Sequence, residues 1–174
     1  MALREILIYP DSRLRKLAEQ VEVFDQEISE FVQDMTQTMY EAPGIGLASI
    51  QVGIEKSIIV IDVSYTKDNL HVLINPQITE AKGEQVIEEG CLSFPGYFAK
   101  IKRSEWIKFS AFDVNGNHYE MEADGLFAVC VQHEIDHLNG KLFTDYLSRL
   151  KKDRVKRQFE KAARKQHRDQ LVQA

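Results

Sequence analysis

His133 and His137 stand four residues apart in QHEIDHLNG (132–140), with Glu134 directly after the first histidine. On an α-helix, positions i and i+4 differ by roughly 40° in azimuth and about 6 Å in rise, so both imidazoles can reach one ion. The glutamate cannot join the same edge. It can reach a water on that ion, which makes it the usual general base of metal-assisted amide hydrolysis. The first half of residues 124–139 is apolar nearly all round, so the helix carrying the motif belongs in the core. There, two histidines and two acids need partners to offset desolvation, and a metal supplies them. The competing reading is a hydrogen-bonded polar cluster.

Catalytic sites of this kind take three protein ligands and leave one position open. The metzincin pattern HExxHxxGxxH is excluded, because Gly140 fits but position 143 is Phe. A thermolysin-like enzyme draws its third ligand from a later glutamate. The only later one is Glu160, within the strongly basic VKRQFEKAARK, a poor setting for a core ligand. Cys91, in EEGCLSFPG, is the better candidate: it follows a predicted strand on a glycine-flanked loop where the backbone can approach closely. Cys130 competes with it. Ligands at 130, 133 and 137 of one straight helix would span about 10 Å, too far for bonds of about 2.0–2.3 Å. Cys130 therefore reads as a small buried wall residue. His71, His118 and His167 have no motif around them and read as surface residues.

These side chains need elements to hold them. Residues 25–42 place Ile28, Phe31, Val32, Met35 and Met39 at helical spacing, with Asp25 as N-cap and Pro43 as terminator. Residues 57–63, 71–80 and 84–90 read as short strands. Alternation on both sides of Asn115-Gly116 predicts a β-hairpin. Asp124 is a candidate cap for the helix of residues 124–139, which ends before Gly140. Residues 148–170 form a third helix with a thin apolar stripe of Leu150, Val155, Phe159, Ala162 and Ala163.

A chain of 174 residues suits one domain with its own core. With 44% hydrophobic and 28% charged residues and no long apolar run, it has the composition of a soluble globular protein with no membrane role. Two cysteines are too few for a disulfide framework and fit a reducing compartment. The segment MALREILIYP lacks a secretory pattern, so a cytoplasmic location is expected. Residues 1–147 hold 12 Lys/Arg against 24 Asp/Glu, whereas residues 148–174 hold 10 against 3. An acidic body thus carries a basic tail able to attract RNA. A rival reading makes the chain an RNA-binding protein with a vestigial metal site.

Taken together and in order, GIGLASIQ, EGCLSFPG and QHEIDHLNG resemble the three signature motifs of the bacterial peptide deformylases, in the form with an extended C-terminal helix. The resemblance covers nearly the whole chain. It implies an α+β fold in which antiparallel strands wrap a central metal-bearing helix, with residues 1–147 as the catalytic part and residues 148–174 as a basic C-terminal helix of the same domain. It implies a hydrolase that removes the N-formyl group from the formylmethionine of newly made proteins. By the same resemblance, the metal ligands are Cys91, His133 and His137, the acid/base is Glu134, and the oxyanion donors are the Gln51 side chain and the Leu92 backbone amide. The walls of the methionine pocket fall on Ile45, Ile87, Leu126, Val129 and Cys130. Gly46 and Gly90 flank the site and leave room for a strand-like substrate backbone.

The departures are Ser49, where the family usually has alanine, and Phe98, where some relatives have arginine. Glu89 and Arg103 are expected to brace the cysteine loop as an ion pair, and Asp136 to orient a ligand histidine. Two imidazoles and a thiolate alone suggest zinc, whereas the resemblance implies Fe²⁺, with Zn²⁺, Ni²⁺ or Co²⁺ as substitutes. Formylmethionyl nascent peptides are the expected partners, together with the ribosome through the basic helix.

Overall fold

A computed structural model of the chain describes residues 2–173; Met1 and Ala174, the ends of the sequence ranges given above, lie outside them. Seven strands run in chain order: β1 (Gly46–Ala48), β2 (Ile58–Ile61), β3 (His71–Lys82), β4 (Gln85–Cys91), β5 (Phe94–Arg103), β6 (Trp106–Phe112) and β7 (His118–Asp124). Three helices accompany them: α1 (Gln26–Glu41), α2 (Gly125–Leu138) and α3 (Arg149–Gln173). The strands form one five-stranded sheet, ordered β1-β2-β3-β6-β7, and a separate β4-β5 hairpin. Every one of these strand pairs is antiparallel. The α+β arrangement expected from the sequence is thus observed, with α2 at its centre.

The reason lies in β2, whose four residues are all buried. Successive strand side chains point to opposite faces. Ile58 and Val60 accordingly join Ile28, Phe31, Val32, Met35 and Met39 of α1 in one apolar cluster. Ile59 and Ile61 join Ala128, Val131 and Leu138 of α2 in another. Each such side chain taken from water contributes about 1.5–3 kcal/mol. The sheet therefore separates two cores and drives the motif-bearing helix inside. The Asp25 side chain caps α1 by accepting from the Ile28 N–H at 3.1 Å.

Several local expectations need correction. Asp124 precedes α2 but makes no side-chain capping bond. The β6-β7 turn is wider than a two-residue Asn-Gly turn, since Phe112 pairs with His118. Asp113 organises this loop by accepting from the Asn115 and Asn117 N–H groups, and Gly116 takes φ of 82°. Strand β5 was not foreseen, because Pro95 and Gly96 mask its start and its lysines obscure the alternation.

A third cluster supports the turn after Cys91. It contains Leu7, Leu14, Phe94, Ile101, Leu142, Phe143 and, from α3, Val155 and Phe159. Phe94 stacks on Tyr9 at 4.7 Å and meets Phe159 and Phe143 edge-on at 5.4 and 5.0 Å. Of the expected α3 stripe only Val155 and Phe159 are core; Leu150, Ala162 and Ala163 are exposed, as are most other residues of the helix. Phe159→Ala should lower stability by about 3–5 kcal/mol in urea unfolding. Val172→Ala, at an exposed position of the same helix, should leave the midpoint unchanged.

Candidate metal centre

Strand β4 delivers Cys91 to α2. Gly90 pairs with Phe98 in register, but the next pair is Cys91 with Phe94, so the ladder breaks between them and the thiol leaves the hairpin at its turn. Cys91 Sγ lies 3.4 Å from His137 Nε2, and the ligand atoms of Cys91, His133 and His137 all lie within 4.8 Å of one another. A sulfur and a nitrogen bound tetrahedrally to one ion at about 2.3 and 2.1 Å would be about 3.6 Å apart. The spacing thus fits a shared cation. Among the described residues this is the one group of three or more potential ligands that converges, and neither Cys130 nor Glu160 belongs to it. Burial pushes the Cys130 thiol pKa far up, which keeps it protonated and inert.

Both histidines are buried, and each has one ring nitrogen directed to this point. Glu89 Oε1 sits 2.8 Å from His133 Nδ1; accepting a hydrogen bond from Nδ1–H leaves Nε2 as the ligating nitrogen. His137 has no hydrogen-bond partner at Nδ1, and burial lowers its pKa well below the ordinary histidine value. Arg103 grips Glu89 with Nε and Nη2 at 2.7 and 2.9 Å. Burial raises the Glu89 pKa, but the bonds from His133 and Arg103 outweigh it, so the carboxyl stays below its usual range. The expected Glu89–Arg103 pair is present and buried. Asp136 makes no direct bond to a ligand histidine: it accepts from Arg103 Nη1 at 2.8 Å and from the Tyr146 hydroxyl at 2.7 Å.

Glu134 is buried with Oε2 unpartnered, a costly arrangement unless something else meets it. Burial raises its pKa to about 7, near the value suited to a group that takes and returns a proton. A Cβ at Gly46 would come 2.7 Å from Glu134 Oε1, so the absence of a side chain on β1 makes space for the carboxylate. At Gly90 a Cβ would come 2.7 Å from the Phe98 ring. Gln51 is buried and tethered: its Oε1 accepts from the Ala48 N–H at 2.9 Å, and its Nε2 donates to Ser93 Oγ at 3.1 Å and faces Cys91 Sγ at 3.5 Å.

A cleft of about 590 Å³ opens onto Cys91, His133 and Glu134. Ile45, Gly46, Ile87, Gly90, Leu92, Leu126, Val129 and Cys130, all singled out from the sequence, line it. So do Ile6, Ile8 and Pro43, which no motif marked as walls, and Phe98, the departure noted in the sequence. His71 is half-buried rather than on the surface, its ring 4.6 Å from that of Phe127. His118 and His167 are exposed.

Residues 3–153 match the polypeptide deformylase family. A peptide deformylase from Tolumonas auensis is 50% identical over 164 residues, covering 94% of this chain and 98% of the relative. The crystal structure of a peptide deformylase from Legionella pneumophila superposes with a TM-score of 0.90 at 46% identity, covering 96% of this chain and 99% of that one. A peptide deformylase from Ehrlichia chaffeensis in complex with actinonin gives a TM-score of 0.89 at 40% identity, covering 93% and 98%.

The close approach at Gly46 yields a direct expectation. Gly46→Ala should displace the Glu134 carboxylate and lower hydrolytic turnover, by up to roughly 100-fold if the displacement reaches about 1 Å. Metal content measured by atomic emission should stay near one ion per chain, because no ligand residue is touched.

Proposed function

We propose a mechanism from one premise: this chain belongs to the polypeptide deformylase family, metal-dependent hydrolases that remove the N-formyl group from the N-terminal formylmethionine of newly made proteins. The observation that carries the reading is the convergence of Cys91, His133 and His137 beside a buried carboxylate with an unpartnered oxygen, at the floor of a largely apolar cleft.

The three residues hold a divalent cation, for which Fe²⁺, the ion typical of the family, is our assignment, with Zn²⁺, Ni²⁺ or Co²⁺ as substitutes. When bound, the ion supplies Lewis acidity that acidifies a water and polarises the formyl carbonyl. Glu134 takes the proton of the attacking water and returns it to the amine nitrogen as the C–N bond breaks. Formate and a free N-terminus are the products. Negative charge that gathers on the former carbonyl oxygen meets the Gln51 amide and the Leu92 backbone N–H, and such a donor typically contributes about 100- to 1,000-fold in rate. The bond from the Ala48 N–H to Gln51 Oε1 holds the amide with Nε2 beside Cys91, which supports this role; one Nε2 hydrogen turns from its present partner to the developing charge.

The methionine side chain occupies a pocket walled by Ile45, Ile87, Leu126, Val129 and Cys130. The peptide backbone runs past Gly46 and Gly90, which both line the cleft, in a strand-like approach. Residues 1–147 form the catalytic part, and residues 148–174 a basic helical extension of the same domain. A cytoplasmic location suits free thiols at Cys91 and Cys130 and a substrate still being made. No helix of the described residues is long and apolar enough to cross a membrane.

The ribosome is the proposed partner of α3. Arg154, Arg157, Lys161, Arg164 and Arg168 are exposed, and helical spacing puts them on one stripe opposite buried Val155 and Phe159. Replacing all five with Gln should preserve turnover on a short formylated peptide while abolishing salt-sensitive ribosome binding. Deleting α3 from residue 148 would instead strip Val155 and Phe159 from the core and confuse the two effects.

The test of the central step is formate release from a formyl-Met peptide. Glu134→Gln should bind metal as the parent does and lose turnover by roughly 100- to 10,000-fold, the range of a general acid/base. Parent-like release by this variant would refute the assigned role.

A further inference from the structure

Arg103 does more than pair with Glu89. Glu89 stands two residues before Cys91 on β4, whereas Asp136 stands between His133 and His137 on α2. By binding Glu89 through Nε and Nη2 and Asp136 through Nη1 at 2.8 Å, one buried guanidinium ties the strand that carries the sulfur to the helix that carries both imidazoles. The forked geometry of such bonds fixes orientation as well as distance.

The outer end of this clamp is closed by Tyr146, in the one-turn 3₁₀ helix Phe143–Tyr146. Its hydroxyl donates to the same Asp136 Oδ2 at 2.7 Å, and its ring lies 5.0 Å from Arg103 Cζ. Tyr146 therefore holds both members of the Arg103–Asp136 pair, one by a hydrogen bond and the other by its ring face. It does not line the cleft, and its side is half-open to solvent. Without the phenol, the Asp136 carboxylate gains freedom to turn toward water. Arg103 then loses its fixed anchor on α2, and Glu89 is no longer held at one distance from His133.

We propose that Asp136 and Tyr146 are positioning residues for the metal centre, setting the spacing between Cys91 and the two histidines through Arg103. The proposal rests on the metal-site reading above, and its readout needs no substrate.

The test uses the full chain loaded with Co²⁺, whose thiolate-to-cobalt absorption reports the ion beside Cys91, and follows decay of that absorption in excess EDTA. Tyr146→Phe keeps the ring and removes the hydroxyl; Asp136→Asn keeps the shape and removes the charge. Each should release Co²⁺ roughly three- to tenfold faster than the parent, less than the 10- to 100-fold expected for a group bonded directly to a ligand. The control is Arg15→Ala, which breaks the 2.7 Å Arg15–Asp145 pair on the same 3₁₀ turn outside the clamp. It should lower thermal stability slightly yet release Co²⁺ at the parent rate. Release from Tyr146→Phe at the parent rate would overturn the proposal, even if Asp136→Asn failed to fold. Equal acceleration by Arg15→Ala would also overturn it, by assigning the effect to general loosening of the turn. A parent protein whose Co²⁺ lacks thiolate absorption would overturn the metal-site reading, and this proposal with it.

Discussion

One cysteine sulfur and two imidazole nitrogens, supplied by different elements, converge on a single point beside the core. This is the constraint on which the molecule turns. The helix can bring two nitrogens together by periodicity alone, but no helical spacing brings a third ligand to them, so a strand must end at the right depth and turn its cysteine inward. The break in β4-β5 register at Cys91 does so, and the aromatic packing of Phe94, Phe143 and Phe159 holds the turn from below. Burial makes the arrangement demanding: each polar atom that enters must find a partner, and Glu89, Arg103 and Asp136 are the partners found.

Space matters as much as attraction. The Glu134 carboxylate occupies volume that any side chain at position 46 would take, and the Phe98 ring lies where a side chain at position 90 would be. Gly46 and Gly90 are thus explained by what stands opposite them, on α2 and on β5.

Much of this was legible in the residues. The four-residue histidine spacing, the apolar first half of α2 and the α1 periodicity each encode a local geometry, and local geometry is what a linear pattern expresses. Cys91 could be reached by excluding Phe143, Glu160 and Cys130, and it joins the histidines in the structure. Contacts between distant segments were harder to read. The Glu89 carboxylate bonds His133 across 44 positions, and Ile6 and Ile8 reach the cleft from the N-terminal segment, with nothing nearby in sequence to announce either. Asp136 was mistaken for a histidine partner because it adjoins His137 in sequence, whereas its side chain turns to Arg103 and Tyr146. Strand β5 was hidden by Pro95, Gly96 and its lysines, since a hairpin with one solvated face need not show clean alternation.

The most direct measurement of the central claim is X-ray absorption at the metal edge of the loaded protein, paired with Cys91→Ser. The account predicts one sulfur at about 2.3 Å and two imidazole nitrogens at about 2.0–2.1 Å in the parent, with the sulfur lost in the variant. A parent spectrum without sulfur, or a sulfur signal that survives the substitution, would contradict it.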